Sequence, residues 1–370
     1  MRSLFLVLFV CLVSCTHGQA YFLFIGTYTG TGSKGIYVYR FDAATGKASW
    51  ISNTEGVINP SFIAVAPGAK RIYACTETRT VNAGSISAFS FDRVSGRLSF
   101  INKQSSGGDN PVYVSVHKHQ HWVVAGNYSG GSLSALKINE DGSLRPFSQR
   151  IQHQGRGVDT VRQTQSHVHS VVFSPDFRFL LVPDLGLDKV LAYRFQEYRD
   201  KPLEPAPVPF VQLPGGSGPR HLAFLPGGNR VYLAEEMKGE VTGYAFSKGL
   251  LHVIDRVSTH PDTLKPPYGT ADIHASPDGK FLYVSNRANE NNIAIFSIST
   301  TGKLKLVGYE PARGKTPRNF TIDPTGNFLL VANQDSDNIT IFKRDKRTGF
   351  LHYTGDELHI PSPVCLQIAR

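Results

Sequence analysis

A repeat of about fifty residues restricts the fold of this chain more than any other feature. Each copy begins with a small residue or Pro, continues as an apolar run, turns, and continues as a second apolar run. The copies read "NPSFIAVAPGAKRIYACTET", "NPVYVSVHKHQHWVVAGNYS", "SHVHSVVFSPDFRFLLVPDLG", "GPRHLAFLPGGNRVYLAEEM", "GTADIHASPDGKFLYVSNRA" and "TPRNFTIDPTGNFLLVANQD". A third strand follows each, such as "GSISAFSFD" or "EVTGYAF", and a weaker fourth appears in "GRLSFI", "GSLRPF" and "GKLKLV". Four antiparallel strands at this period make the blade of a β-propeller. Six complete copies leave a gap that the chain ends fill. "YFLFIGTYTG", "GIYVYRFD" and "KASWIS" supply a blade without its first strand, and "SPVCLQIA" supplies that strand alone. The expectation is an all-β, seven-bladed propeller over residues 21–370, closed by pairing the N-terminal strands with the C-terminal one. Closure also leaves no sheet edge open to aggregation.

The spacing within each copy is regular. The first strand starts at Ser61, Val112, His169, Arg220, Ala271 and Arg318, with Val364 in the closing blade. Sixteen residues after the first six starts, the second strand ends at Glu77, Tyr128, Leu185, Glu236, Arg287 and Gln334; Tyr28 is the equivalent in the closing blade. Start and end are symmetric about the turn, so they face one another across an antiparallel hairpin, or nearly so. Arg220 and Glu236 are thereby expected to be close. In a propeller the first strand is innermost, so the two sets form rings round one mouth of the central channel. Residues that served structure alone would be alike in seven copies, and these differ. His169, Arg220, Glu236, Arg287, Arg318 and Gln334, all from four consecutive blades, therefore mark a candidate site, with Tyr128 beside them. His and Glu can act as general acid or base, and three Arg can hold an anion or a developing oxyanion. An ion pair of purely structural role between Arg220 and Glu236 is the competing reading.

The chain has no Gly-x-Ser-x-Gly elbow, phosphate loop or dinucleotide glycine pattern, so hydrolysis here would use activated water. The turn "HKHQH" (His117, His119, His121) falls at the opposite face and reads as solvated. "HVH" at His167 and His169 is too sparse for a metal assignment. The net charge of +10 is spread without a Lys/Arg-rich run, which argues against nucleic acid as a partner.

Arg2 and the ten apolar residues from Leu4 to Val13 have the layout of an export signal, too short to span a bilayer. Residues 1–20 are assigned to it, and two cleavage patterns fit. Gly18-Gln19-Ala20 suits a general signal peptidase; Leu12-Val13-Ser14-Cys15 resembles a lipoprotein box, with Cys15 then acylated. The expected location is periplasmic or secreted, with Cys15 the one route to a lipid anchor. Cys75 and Cys365 are expected to be buried, unpaired thiols, although export permits a disulfide.

From about Tyr21 to its end the chain resembles the lactonase family of seven-bladed propellers, the 6-phosphogluconolactonase and carboxymuconate-cyclase group. The resemblance rests on "IGTYTG" with "GIYVYRFD", "SHVHSVVFSPD" with "PDLGLDKV", "GPRHLAF" with "AEEM", "YVSNR", and "PRNFTIDPTGNFLLVANQDSDNITIF", in family order. It implies hydrolysis of a sugar lactone without metal or organic cofactor. It also implies a site at His169, Arg220, Glu236 and Arg287, in which Glu236 or His169 would activate water and Arg220 and Arg287 would hold the carbonyl oxygen or an acidic substituent. Arg318, from the same ring, is a further candidate for the anionic end of the substrate. Gln334 and Tyr128 are added as substrate contacts, and a monomer is expected. Two alternatives stay open: lactone formation on a muconate-type acid, and a non-catalytic propeller that binds an anionic sugar or a partner protein.

Overall fold

The computed structural model describes residues 20–78 and 80–370. Its strands form seven four-stranded sheets, each antiparallel throughout. Blade 1 consists of Ile63–Val65, Arg71–Thr76, Ser85–Asp92 and Arg97–Ser105. Blade 2 consists of Pro111–Val116, Trp122–Asn127, Ser132–Ile138 and Leu144–Gln152. Blade 3 runs Val172–Phe173, Phe179–Asp184, Lys189–Phe195 and Leu203–Gln212, and blade 4 runs Pro219–Phe224, Arg230–Glu235, Glu240–Ser247 and Leu250–Ser258. Blade 5 is Thr270–Ala275, Phe281–Asn286, Asn292–Ile298 and Leu304–Pro311; blade 6 is Pro317–Ile322, Phe328–Asn333, Asn338–Arg344 and Leu351–His359. Blade 7 pairs the C-terminal Pro363–Ala369 with Ala20–Thr27, followed by Ile36–Asp42 and Ala48–Thr54. The ring therefore closes as the repeat requires. The assigned export segment and Cys15 lie outside the described residues, apart from Ala20 at the start of a strand.

Each apolar cluster joins neighbouring blades. Trp122, Val124 and Leu133 of blade 2 pack on Val171, Leu180 and Val182 of blade 3, and Tyr232 and Ala234 of blade 4 pack on Ile273, Leu282 and Val284 of blade 5. Second strands such as Phe281–Asn286 are buried on both sides, which is why they read as unbroken apolar runs. The fourth strand Leu144–Gln152 is mostly exposed, so its sequence signal is weak. Buried tyrosines fasten consecutive blades: Tyr73, Tyr232 and Tyr283 donate to the carbonyls of Gly142, Gly302 and Gly349. Cys75 and Cys365 are free and buried.

Two local readings change. The first strand of blade 3 is only Val172–Phe173, with an isolated bridge from Val168 to Asp184 upstream. The "HKHQH" turn is not simply solvated: His119 and His121 are exposed, but His117 is buried, stacked on Phe195 and edge-on to Phe173 and Phe177. Those phenylalanines belong to blade 3, which alternation within blade 2 does not reveal.

Candidate functional site

Two devices aim the ring residues at the channel mouth. The first is a β-bulge where the inner strand begins. Pro111, Pro219 and Pro317 pair with Asn127, Glu235 and Asn333, and pairing resumes only at Tyr113, His221 and Asn319. Val112, Arg220 and Arg318 are the extra residues, turned out of the ladder; Val112 and Arg318 line the mouth, whereas Arg220 stays buried behind it. The second is a buried polar residue just before the strand-end position. Asn127, Asn286 and Asn333 donate to the carbonyls of Ser106, Thr259 and Ala312 in the loops entering their blades. That anchor fixes where Tyr128, Arg287 and Gln334 emerge. Asp184 does the same for blade 3, accepting from Ser166 at 2.6 Å, with His153 Nδ1 at 2.7 Å.

Glu236 is the hub, 7% exposed. Its Oε2 accepts from Arg220 Nε at 3.0 Å and pairs with Arg287 Nη2 at 3.1 Å. Its Oε1 accepts from Arg162 Nη2 at 2.7 Å. Burial alone would raise this carboxyl, but Arg287 and Arg220, then His169 and Arg162, override it and hold it well below the usual carboxylate range. Glu236 is thus a permanently ionised clamp whose two oxygens are taken by guanidinium donors.

His169 lies beside the hub, 6% exposed, with Nε2 3.8 Å from Glu236 Oε2 and Nδ1 buried without a hydrogen-bond partner. Burial, reinforced by Arg220, His221 and Arg318 and only partly opposed by Glu236, holds its imidazole well below the ordinary histidine range. It is neutral at pH 7 and can accept a proton. Tyr128 packs edge-on against it, with ring centroids 5.3 Å apart.

Arg220 itself does not reach the cavity. It is 1% exposed and donates to the carbonyl of Ala271 at 2.7 Å as well as to Glu236. Burial first, then the charge of Arg287, pushes its pKa down to about 9, still a cation at neutral pH. Its neighbour His221 is buried and tied to Asp272: Asp272 Oδ1 is 2.8 Å from His221 Nδ1, and Oδ2 accepts from Asn319.

The residues that face the cavity come from all seven blades, not from four. Arg318 stacks its guanidinium 5.4 Å from the Tyr28 ring and lies 3.9 Å from Glu77, which accepts a 2.9 Å bond from Tyr28. Gln334 also lines the cavity, its Oε1 buried and unpartnered. Reading along the chain misses Glu77 and Tyr28 as partners of Arg318, because ring closure alone brings them together. It also misses Arg162, which stands in the loop between blades 2 and 3. Asp159 accepts from the Val161 and Arg162 amides, and buried Gln163 is tied to Leu185 and Asp188. One signal was present: His169 follows Val112 by 57 residues where neighbouring intervals are 51, so this junction carries six extra. The cavity measures about 820 Å³ and includes Tyr28, Glu77, Tyr128, Arg162, His169, Glu236, Arg287, Arg318 and Gln334.

Fold and site together define a seven-bladed propeller with a polar, cation-rich pocket at one mouth of its channel. Residues 22–368 match the lactonase, 7-bladed beta-propeller family, and the chain belongs to it. A lactonase opens a cyclic ester, so by family the chain is a carboxylic ester hydrolase. It is 37% identical to a 6-phosphogluconolactonase of Formosa agariphila over 94% of this chain and 99% of that one. It is 32% identical to the 6-phosphogluconolactonase of Bacillus subtilis over 94% and 98%. Among solved structures, the periplasmic gluconolactonase of Pseudomonas aeruginosa superposes with a TM-score of 0.90 at 37% identity, over 95% of this chain and 99% of that one.

Proposed function

We propose that this chain hydrolyses a sugar δ-lactone at the channel mouth by direct attack of water, with His169 as the base. The observation that carries the reading is the pairing of a neutral, buried imidazole with a carboxylate that cannot serve as one. Glu236 is saturated by Arg220, Arg287 and Arg162, whereas His169 lines the cavity with Nε2 3.8 Å from Glu236 Oε2, beyond hydrogen-bond distance and so open to a proton. Water adds to the lactone carbonyl carbon and its proton passes to His169. The oxyanion that forms is met by Arg287, while Glu236, 3.8 Å away, stabilises the imidazolium. The ring C–O bond then breaks, the ring oxygen takes the proton back, and the open hydroxy acid leaves. Arg220, sealed below the cavity, orients Glu236 instead of touching substrate. Arg162 and Arg318, on the two sides of the pocket, suit a phosphate or carboxylate on the sugar. Tyr128 and Gln334 contact the sugar ring or its hydroxyls.

Export is part of the same reading. It is supported by the apolar run Leu4–Val13 and by the periplasmic description of the Pseudomonas relative. An exported enzyme meets unphosphorylated lactones, and gluconolactone is the substrate to try beside its 6-phosphate. Turnover of both by purified protein, measured against the spontaneous rate, tests the proposal. Rates equal to buffer on both substrates and on a wider lactone panel would end it.

A further inference from the structure

The inner strand of blade 2, Pro111–Val116, runs from the mouth to the opposite face. Six residues at about 3.3 Å each carry the chain about 20 Å from the pocket. There His117, His119 and His121 converge on Glu197, which lies after the third strand of blade 3. We propose that these four side chains bind a divalent transition-metal ion of the Zn²⁺ type and so clip blade 2 to blade 3.

The donors are already gathered. His119 Nδ1 is 2.8 Å from Glu197 Oε2, and His121 Nδ1 and His117 Nδ1 are 2.7 and 3.3 Å from Oε1. One donor atom from each of His117, His119 and Glu197 lies within 4.8 Å of the others, and no other such cluster occurs among the described residues. A tetrahedral ion with bonds of about 2.0–2.1 Å holds its donors about 3.3 Å apart, within the 4.8 Å span of His117, His119 and Glu197. His121, which meets Glu197 Oε1 at 2.7 Å, stands outside that span and swings in as the fourth ligand. Three imidazole nitrogens and one carboxylate oxygen are a set that suits Zn²⁺.

Protons serve this cluster poorly. One carboxylate has to accept from three imidazoles at once. His117 Nδ1 also meets the His119 amide donor at 3.4 Å, and a single ring nitrogen cannot accept from that amide while donating to Glu197. The frame is rigid, as a metal site needs. His117 is wedged among Phe173, Phe177 and Phe195, and the Glu197 carbonyl accepts from Trp122 Nε1 at 2.7 Å. Glu197 is only 10% exposed, while His119 and His121 are open to solvent and give an ion a way in. Lys118, next in sequence to His117, is directed away, over the Phe177 ring and onto the Asp176 carbonyl, while Lys70 and Arg71 border the outer side of His119 and His121.

The test is calorimetric titration of the EDTA-treated, dialysed full chain with ZnCl₂, paired with thermal unfolding at the same zinc concentrations. Wild type is compared with a His119→Ala/His121→Ala variant, whose lost side chains are exposed and whose folding is not at stake. The expected result is one ion per chain, a Tm rise of about 4 °C at saturating zinc, and affinity weakened about tenfold or more in the variant. No zinc uptake by wild type overturns the proposal. Equal affinity in the two proteins also overturns it, because the ion then sits elsewhere.

Discussion

The Glu236 hub makes a quantitative demand on stability. Glu236→Gln keeps the side chain's size but halves its accepting power and turns an amide N–H₂ toward guanidinium donors. Arg220 is then left with its charge sealed in, and Arg287 and Arg162 lose their counter-ion. Breaking a buried pair by removing one partner costs about 3–5 kcal/mol. The lower end applies, because Arg162 is half exposed and its share is screened, and because Gln retains one acceptor. We expect a loss of about 3 kcal/mol, or about 6 °C in Tm at roughly 2 °C per kcal/mol for a chain of this size. Urea unfolding followed by the fluorescence of buried Trp122 measures it, since urea leaves charge interactions unscreened. A cycle with Arg287→Gln should return a coupling of about 1 kcal/mol or more. A loss under about 0.5 kcal/mol, or one that disappears in 1 M NaCl, would show a solvated ion pair and refute the hub.

His169→Gln should keep the fold and lower kcat/KM by about 10²–10⁴-fold on any lactone turned over. Because the folded-state imidazole is held below its ordinary range, it stays neutral as pH falls through about 6.5; the wild-type profile, corrected for spontaneous hydrolysis, should lack an acid limb there. An inflection at that value would mean a solvated histidine. Arg162→Ala, at a half-exposed position, should cost under about 1 kcal/mol of stability yet raise KM more for a phosphorylated lactone than for a plain one. Tyr232→Phe should cost about 1–2 kcal/mol in urea unfolding, because the buried Gly302 carbonyl loses its donor with no change in the site.

The chain's own spacing determined the blades, their number and the closing partnership of its two ends. Strand length, turn and pleat are local, and the ladder converts a fixed sixteen-residue interval into proximity. Arg220 and Glu236 were therefore legible as neighbours before any fold was known. The bulge at Pro219 is the refinement that alternation cannot show, and it decides that Arg220 turns inward from the ladder. Tertiary structure alone decided the rest. Tyr28 and Glu77 meet Arg318 only because seven blades close, and Arg162 arrives on a loop whose course depends on Gln163 and Asp159. His117 met Glu197 in the same way, between two blades. Protonation was also beyond the sequence, since His169 and Glu236 take their charges from burial and from how many guanidiniums surround each. Residue type says what a side chain can do; the field and the solvent left around it, set by packing from every blade, decide which of the two is free to take a proton.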